Sequence, residues 1–167
     1  MGSIMKRRSI RQYTNQTVSD EQIKILLETA MCAPSAGNEQ PWHFVVIKDR
    51  QLLDEVPKYH PHSGMIKQAS AAILVCADPN LNKFDVDYWV QDCAAATENL
   101  LLAVTELGLG AVWLGVYPRP ERLAGLRQLF HIPEEVIPFA LVPIGYPAEH
   151  KDAENRYREE RIHLNRW

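Results

Sequence analysis

The residues of this chain best suited to chemistry are Arg7, Arg8, Ser9 and Arg11, in the run Lys6-Arg7-Arg8-Ser9-Ile10-Arg11-Gln12-Tyr13. A guanidinium presents a planar fork of donors that matches phosphate oxygens in pairs, and a serine hydroxyl adds one more donor. The cluster therefore reads as a site for a phosphorylated ligand. Taken alone, it is explained as simply by a solvated basic N-terminus. A second segment downstream, Ala33-Pro34-Ser35-Ala36-Gly37-Asn38-Glu39-Gln40-Pro41-Trp42-His43-Phe44, adds polar groups on a helix stop, a turn and a strand entry.

The elements that must position these groups follow from periodicity. Ser19 with Gln22 three residues later makes a capping box. Ile23, Leu26, Leu27 and Ala30 then recur at helical spacing, and Pro34 ends that helix. Residues 42–47 read as a strand, and residues 52–59 as a short helix interrupted at Pro57. Residues 71–77 form an apolar run read as a buried strand. Residues 87–107 form the longest helix, with a wide apolar stripe that predicts a central, largely buried position. Gly108 and Gly110 end it. Residues 111–116 read as one strand, 120–130 as a helix and 136–144 as a further strand. Beyond Pro147 the chain turns polar and charged. Strands mixed with helices give an α/β or α+β domain, and spacing alone does not choose between them.

The chain has 167 residues, 46% hydrophobic and 23% charged, with a net charge of −3. These values predict one globular domain over residues 1–167. A mildly acidic chain does not suit a general nucleic-acid binder, which needs a broad basic face. No apolar run approaches the roughly 20 residues of a membrane span, and no signal-peptide core is evident at the N-terminus. Cys32, Cys76 and Cys93 lie in apolar runs without metal spacing and read as buried free thiols. Neither a nucleic-acid nor a membrane partner is expected, and the expected location is the cytoplasm.

Together the motifs resemble those of the nitroreductase family of FMN-dependent oxidoreductases. The matching positions are Arg7, Ser9 and Arg11, then Pro34, Ser35, Asn38, Gln40, Pro41, Trp42 and Phe44. A third match is Gly108-Leu109-Gly110-Ala111-Val112-Trp113-Leu114-Gly115. A fourth is Ile144-Gly145-Tyr146-Pro147 followed by Arg156 and Arg161. The resemblance implies an α+β sandwich with a mostly antiparallel sheet between helices, assembled as an intertwined homodimer with sites shared between chains. It implies FMN as cofactor, NADH or NADPH as electron donor, and a small electron-poor acceptor such as a nitroaromatic or a quinone, in ping-pong turnover. Chemistry would occur at the flavin N5, with no catalytic side chain of the protein's own.

The same resemblance assigns roles. Arg7 and Ser9 would contact the phosphate and ribityl chain, with Arg8 assisting. Arg11 would lie near the N1–C2 edge of the flavin. Pro34, Ser35, Ala36 and Asn38 would pack on a flavin bound mainly by the other subunit. The backbone of Trp113, Leu114 and Gly115 would line the flavin, with an N–H near N5. Arg161, and after it Arg156, would return to the phosphate, although Glu159 stands where the family carries a lysine. Against this, Arg8 also reads as a solvent-facing side chain, and Arg156 with Glu160 as a helix-surface pair.

Other chemistries fit less well. Gly108-Leu109-Gly110 is no dinucleotide fingerprint, because Trp113 holds the third glycine position and a helix precedes the segment. His60-Pro61-His62 lacks further metal ligands at suitable spacing. In the family that region borders the substrate pocket, which makes His60 and His62 substrate-facing candidates. Two alternatives to a general reductase remain at this level: a specialised relative performing dehalogenation, enoyl reduction or flavin fragmentation, and a non-catalytic FMN-storage protein.

Overall fold

The structure is a computed structural model and describes residues 2–167. In chain order the elements are α1 (Gly2–Lys6), α2 (Asp20–Met31), β1 (Trp42–Ile47), α3 (Arg50–Glu55), β2 (Ala71–Ala77), α4 (Trp89–Glu106), β3 (Gly110–Ala111), β4 (Leu114–Gly115), α5 (Pro120–Phe130) and β5 (Ile137–Gly145). The strands form one antiparallel sheet in the order β1-β2-β5-β3, with β4 also pairing β5. The capping box is present: the Ser19 hydroxyl accepts from the Gln22 N–H, and the Gln22 side chain accepts from the Ser19 N–H.

Helices cover both faces of the sheet, and β2 shows why. Every residue of β2 is buried, so its sequence reads as a continuous apolar run rather than an alternating one. The period of two still sorts its side chains. Ala71 and Ile73 pack with Ile23, Leu26 and Ala30 of α2 and Leu100 and Val104 of α4. Ala72 and Leu74 pack with Leu53 of α3 and Leu126 of α5 on the other side. Near the start of α4, Val75 and Ala77 meet Trp89 and Cys93. The result is an α+β sandwich of three layers.

Three expectations need correction. The predicted strand 111–116 is two short pieces, β3 and β4. Both follow one register against β5, which puts Val112 opposite Pro143. Proline has no N–H to give to a ladder, and the Pro143 carbonyl accepts from the Tyr13 hydroxyl at 3.3 Å. The pairing therefore lapses for two residues. The predicted helix 52–59 begins earlier, at Arg50, where Asp49 caps the N–H groups of Gln51 and Leu52. It passes into a 3₁₀ turn at Val56–Lys58. Cys32 is exposed, unlike Cys76 and Cys93, because it caps the C-terminus of α2 on the solvent side. Burial pushes the Cys76 thiol up to about 12, and it pushes Cys93 up as well.

Candidate functional site

The basic N-terminal segment is fixed as an extra, irregular strand at the sheet edge. Ser9 bridges Ala111 in parallel, and the Ile10 N–H donates to the Ala111 carbonyl at 2.9 Å. Ile10 lies directly over Gly110, where a Cβ would stand 2.7 Å from Ile10 Cγ2. Tyr13 packs against Gly145 in the same way, and its hydroxyl donates to the Ile10 carbonyl at 2.8 Å. Both side chains are buried, while Arg11 between them is exposed.

The chain after β5 returns along this segment. The Thr14 N–H donates to the Tyr146 carbonyl, and the Ala148 N–H to the Gln12 carbonyl, both at 2.8 Å. Lys151 then reaches back, its ammonium 2.7 Å from the Ser9 carbonyl. Arg8 donates to the Asp152 carbonyl. The two chain ends thus enclose an open cleft of about 260 Å³ lined by Arg7, Arg8, Ser9, Arg11, Lys151 and Arg156.

Five cations and one hydroxyl face this cleft. The carboxylates around it sit mostly at its rim. Glu98 lies 3.4 Å from Arg7, and Glu154 lies 3.6 Å from Arg8 and 3.2 Å from Arg156. These exposed pairs are individually weak and leave the guanidinium groups available to a stronger anion. Glu149 accepts from the Arg11 N–H and pairs with Lys151 at 3.3 Å. The Arg11 N–H, more than the lysine, holds its carboxyl below the usual range. The Arg11 guanidinium itself makes no ion pair among the described residues. Chemically, the arrangement can hold a di-anion.

The other predicted positions lie elsewhere. Pro34, Ser35, Ala36 and Asn38 belong to a loop seated on the first turn of α4, where the Ala36 N–H donates to Asp92 Oδ1 at 3.0 Å. Gly37, Asn38 and Gln40 all take positive φ. The loop is held in that form by Ser35 Oγ and Asn38 Oδ1, which accept from Gln40, and by Lys83, which donates to the Gly37 carbonyl. It does not line the basic cleft of its own chain. Trp113 packs edge-on against Phe139, with ring centroids 5.8 Å apart. Leu114 and Gly115 pair with β5; Leu114 is buried, whereas a Cβ at Gly115 would meet nothing within 4 Å among the described residues, which leaves space at this glycine. Arg161 lies in an exposed 3₁₀ turn and does not line the cleft, whereas Arg156 does. The tail around Arg156 is not helical, and Arg156 pairs with Glu154 rather than Glu160.

Two features escaped the sequence reading. Lys151 had no periodicity or motif to mark it; only the backbone pairing of 12–14 with 146–148 brings it to Ser9. His60, a substrate-facing candidate in the sequence, is enclosed within its own chain. It is buried, with Nε2 3.1 Å from the Gly115 carbonyl, which also accepts from Arg122 at 2.6 Å. Burial lowers the pKa of this imidazole, the Gly115 carbonyl opposes that, and the nearby Arg122 adds to the lowering. His62 is exposed.

The model of the nitroreductase family matches residues 4–83 and 58–146. A protein of Archaeoglobus fulgidus described as "Putative NADH dehydrogenase/NAD(P)H nitroreductase" is 53% identical over 167 residues, covering 98% of this chain and 96% of that protein. The crystal structure of a "Putative NADH Oxidase" from Clostridium acetobutylicum superposes with a TM-score of 0.95 at 40% identity, covering 99% of each chain. That of a "putative nitroreductase in complex with fmn" from Desulfovibrio desulfuricans does so with a TM-score of 0.84 at 32% identity, over 99% of this chain and 95% of that one. With its antiparallel sandwich and a match to relatives along nearly its whole length, this chain belongs to the nitroreductase family.

Proposed function

We propose that residues 1–167 form one FMN-binding domain of a homodimeric NAD(P)H oxidoreductase that reduces nitroaromatics, quinones or similar electron-poor acceptors in ping-pong turnover. The observation that carries this reading is the cleft of Arg7, Arg8, Ser9, Arg11, Lys151 and Arg156 on a nitroreductase sandwich. Its charge and size suit a phosphate group with adjoining hydroxyls. Bound there, FMN supplies the hydride chemistry between the nicotinamide and the acceptor.

The protein's own contribution is binding and electrostatics. Arg7, Arg8, Lys151 and Arg156 neutralise phosphate, Ser9 offers a hydroxyl, and Arg11 presents a cation with no competing ion pair toward the ring system. The space at Gly115 admits a flat ligand to backbone distance, and the carbonyl of Gly115 is drawn aside by Arg122 and His60. Two observations support a site completed by a second copy. The loop with Ser35 and Asn38 stands away from its own chain's cleft. Exposed apolar side chains also flank that loop and end the chain, among them Phe84, Val86, Ile162, Leu164 and Trp167. The free thiols Cys76 and Cys93 suit a reducing cytoplasm. Among the described residues no helix is long and apolar enough to cross a membrane.

The test is an absorption spectrum of the purified protein, followed by heat release and identification of the chromophore. FMN, and not FAD, is expected. A colourless protein that also takes up no added FMN in calorimetry overturns the proposal.

A further inference from the structure

The loop of residues 35–40 is fastened to α4 by two buried carboxyl groups whose oxygens are unequally satisfied. Asp92 is 5% exposed and Glu39 is 7% exposed. Asp92 Oδ1 accepts from the Ala36 N–H at 3.0 Å, and Glu39 Oε2 accepts from the Lys83 N–H at 2.9 Å. The two remaining oxygens, Asp92 Oδ2 and Glu39 Oε1, are buried and have no donor among the described residues. The side chains lie within hydrogen-bond reach of one another. Two ionised carboxylates in that position would repel, and each would leave one oxygen desolvated without a partner. One proton between them satisfies both orphaned oxygens at once.

We propose that Glu39 and Asp92 share a single proton, and that this proton latches the loop of residues 35–40 onto the first turn of α4. The surrounding groups decide which partner carries it. The Lys83 N–H stabilises charge on Glu39, and the Lys83 ammonium is taken by the Gly37 and Asn38 carbonyls rather than by either carboxylate. The Ala36 N–H and the helix N-terminus favour charge on Asp92. Burial outweighs them and, with Glu39 beside it, raises the Asp92 carboxyl above the usual range. Cys93 stands next to Asp92 on α4 as a neutral buried thiol donating to the Cys76 carbonyl, and Asp87 is turned to the Trp89 indole. Asp92 is therefore the partner on which the proton is held.

A carboxyl whose titration is displaced upward on folding adds stability below its unfolded value and loses it as pH rises through the folded one. The latch therefore holds toward acid and loosens as pH rises through the raised Asp92 value. This inference goes beyond the flavin reading, because loop anchoring and its pH dependence do not require FMN. If that reading holds as well, the loop that carries Ser35 and Asn38 grips less firmly at high pH.

The experiment is thermal unfolding of the full-length protein from about pH 4 to about pH 9, a range that brackets ordinary carboxylate titration and neutrality. Asp92→Asn keeps an acceptor for Ala36 and gives Glu39 a permanent donor. Its Tm should exceed that of the parent at alkaline pH, by roughly 3–5 °C for each pH unit by which the titration is displaced. Glu39→Gln should flatten the profile likewise, and the double variant should gain nothing further. Profiles of both single variants that run parallel to the parent, or below it at every pH, overturn the proposal. If the variants do not fold, infrared spectra of the parent with ¹³C-labelled aspartate decide the matter. A labelled protonated-acid stretch that persists above the pH at which ordinary aspartates have ionised supports the shared proton, and loss of all such signal together with the ordinary aspartates refutes it.

Discussion

Gly110→Ala tests whether the basic segment owes its position to close backbone packing. The added methyl would stand 2.7 Å from Ile10 Cγ2, 2.9 Å from its Cβ and 3.2 Å from its Cγ1. Carbon atoms sit comfortably at about 3.5–4.0 Å, so Ile10 must retreat by about 1 Å. A β-branched side chain cannot swing away cheaply, and one of the clashing atoms is the Cβ itself. The whole segment moves, together with the Ile10 N–H that bonds the Ala111 carbonyl. Overpacking of this kind costs about 1–3 kcal/mol, offset by about 0.4–1 kcal/mol because alanine restricts the unfolded chain. A net loss of about 1–2 kcal/mol lowers Tm by roughly 2–8 °C at this chain length.

The functional effect should be larger than the structural one. Arg7, Ser9 and Arg11 move with Ile10, and losing one charge-assisted hydrogen bond costs about 1.5–3 kcal/mol, or roughly ten- to a hundredfold in FMN affinity. Calorimetric titration of FMN beside a thermal melt measures both. Ile10→Ala added to Gly110→Ala removes two of the three clashing atoms, so the pair should be less destabilised than the sum of the single changes. Unchanged Tm and unchanged affinity in Gly110→Ala would show that the segment is not set by this contact.

Four further outcomes are expected. Gly115→Ala should melt like the parent, since nothing lies within 4 Å of its new methyl, yet bind FMN more weakly; equal affinity would mean that no ligand covers this strand. Arg11→Ala should weaken FMN binding about ten- to a hundredfold and make the bound flavin harder to reduce, and an unaltered midpoint potential would return Arg11 to the status of a surface charge. Initial-rate plots of NAD(P)H against a quinone should be parallel, whereas intersecting lines would place donor and acceptor in separate sites. Co-refolding Arg11→Glu with a bulky charged change at Ser35 should restore activity lost in each alone, and formation of inactive heterodimers would favour a site built within one chain.

The fold was legible wherever burial and period agree. The capping box at Ser19, the apolar run of β2 and the stripe of α4 each carry their own signal and appear in the structure within a residue or two. The misreading at 111–116 has a different origin. Its residues are good strand formers, but the lapse in pairing is caused by Pro143, which lies far along the chain and becomes a neighbour only once β5 is in place. Local propensity describes a segment's own preference and cannot report the partner's missing N–H.

The candidate site divides along the same line. Arg7, Arg8, Ser9 and Arg11 are contiguous, so their chemistry could be read directly from the sequence. Arg156 was marked only by the family resemblance, and Lys151 by nothing in the sequence; it counts because β5 delivers the chain back beside residues 12–14. The Glu39–Asp92 pair was invisible for the opposite reason. Each residue looks like an ordinary polar position, one in a turn and one on a helix, and only burial turns two common carboxyls into a pair with orphaned oxygens. What the sequence hid in both cases is juxtaposition across the fold. The loop holding Ser35 and Asn38 likewise does not line its own chain's cleft. A single chain presents a basic cleft and an ordered polar loop, and in the proposed homodimer a second copy would bring one against the other.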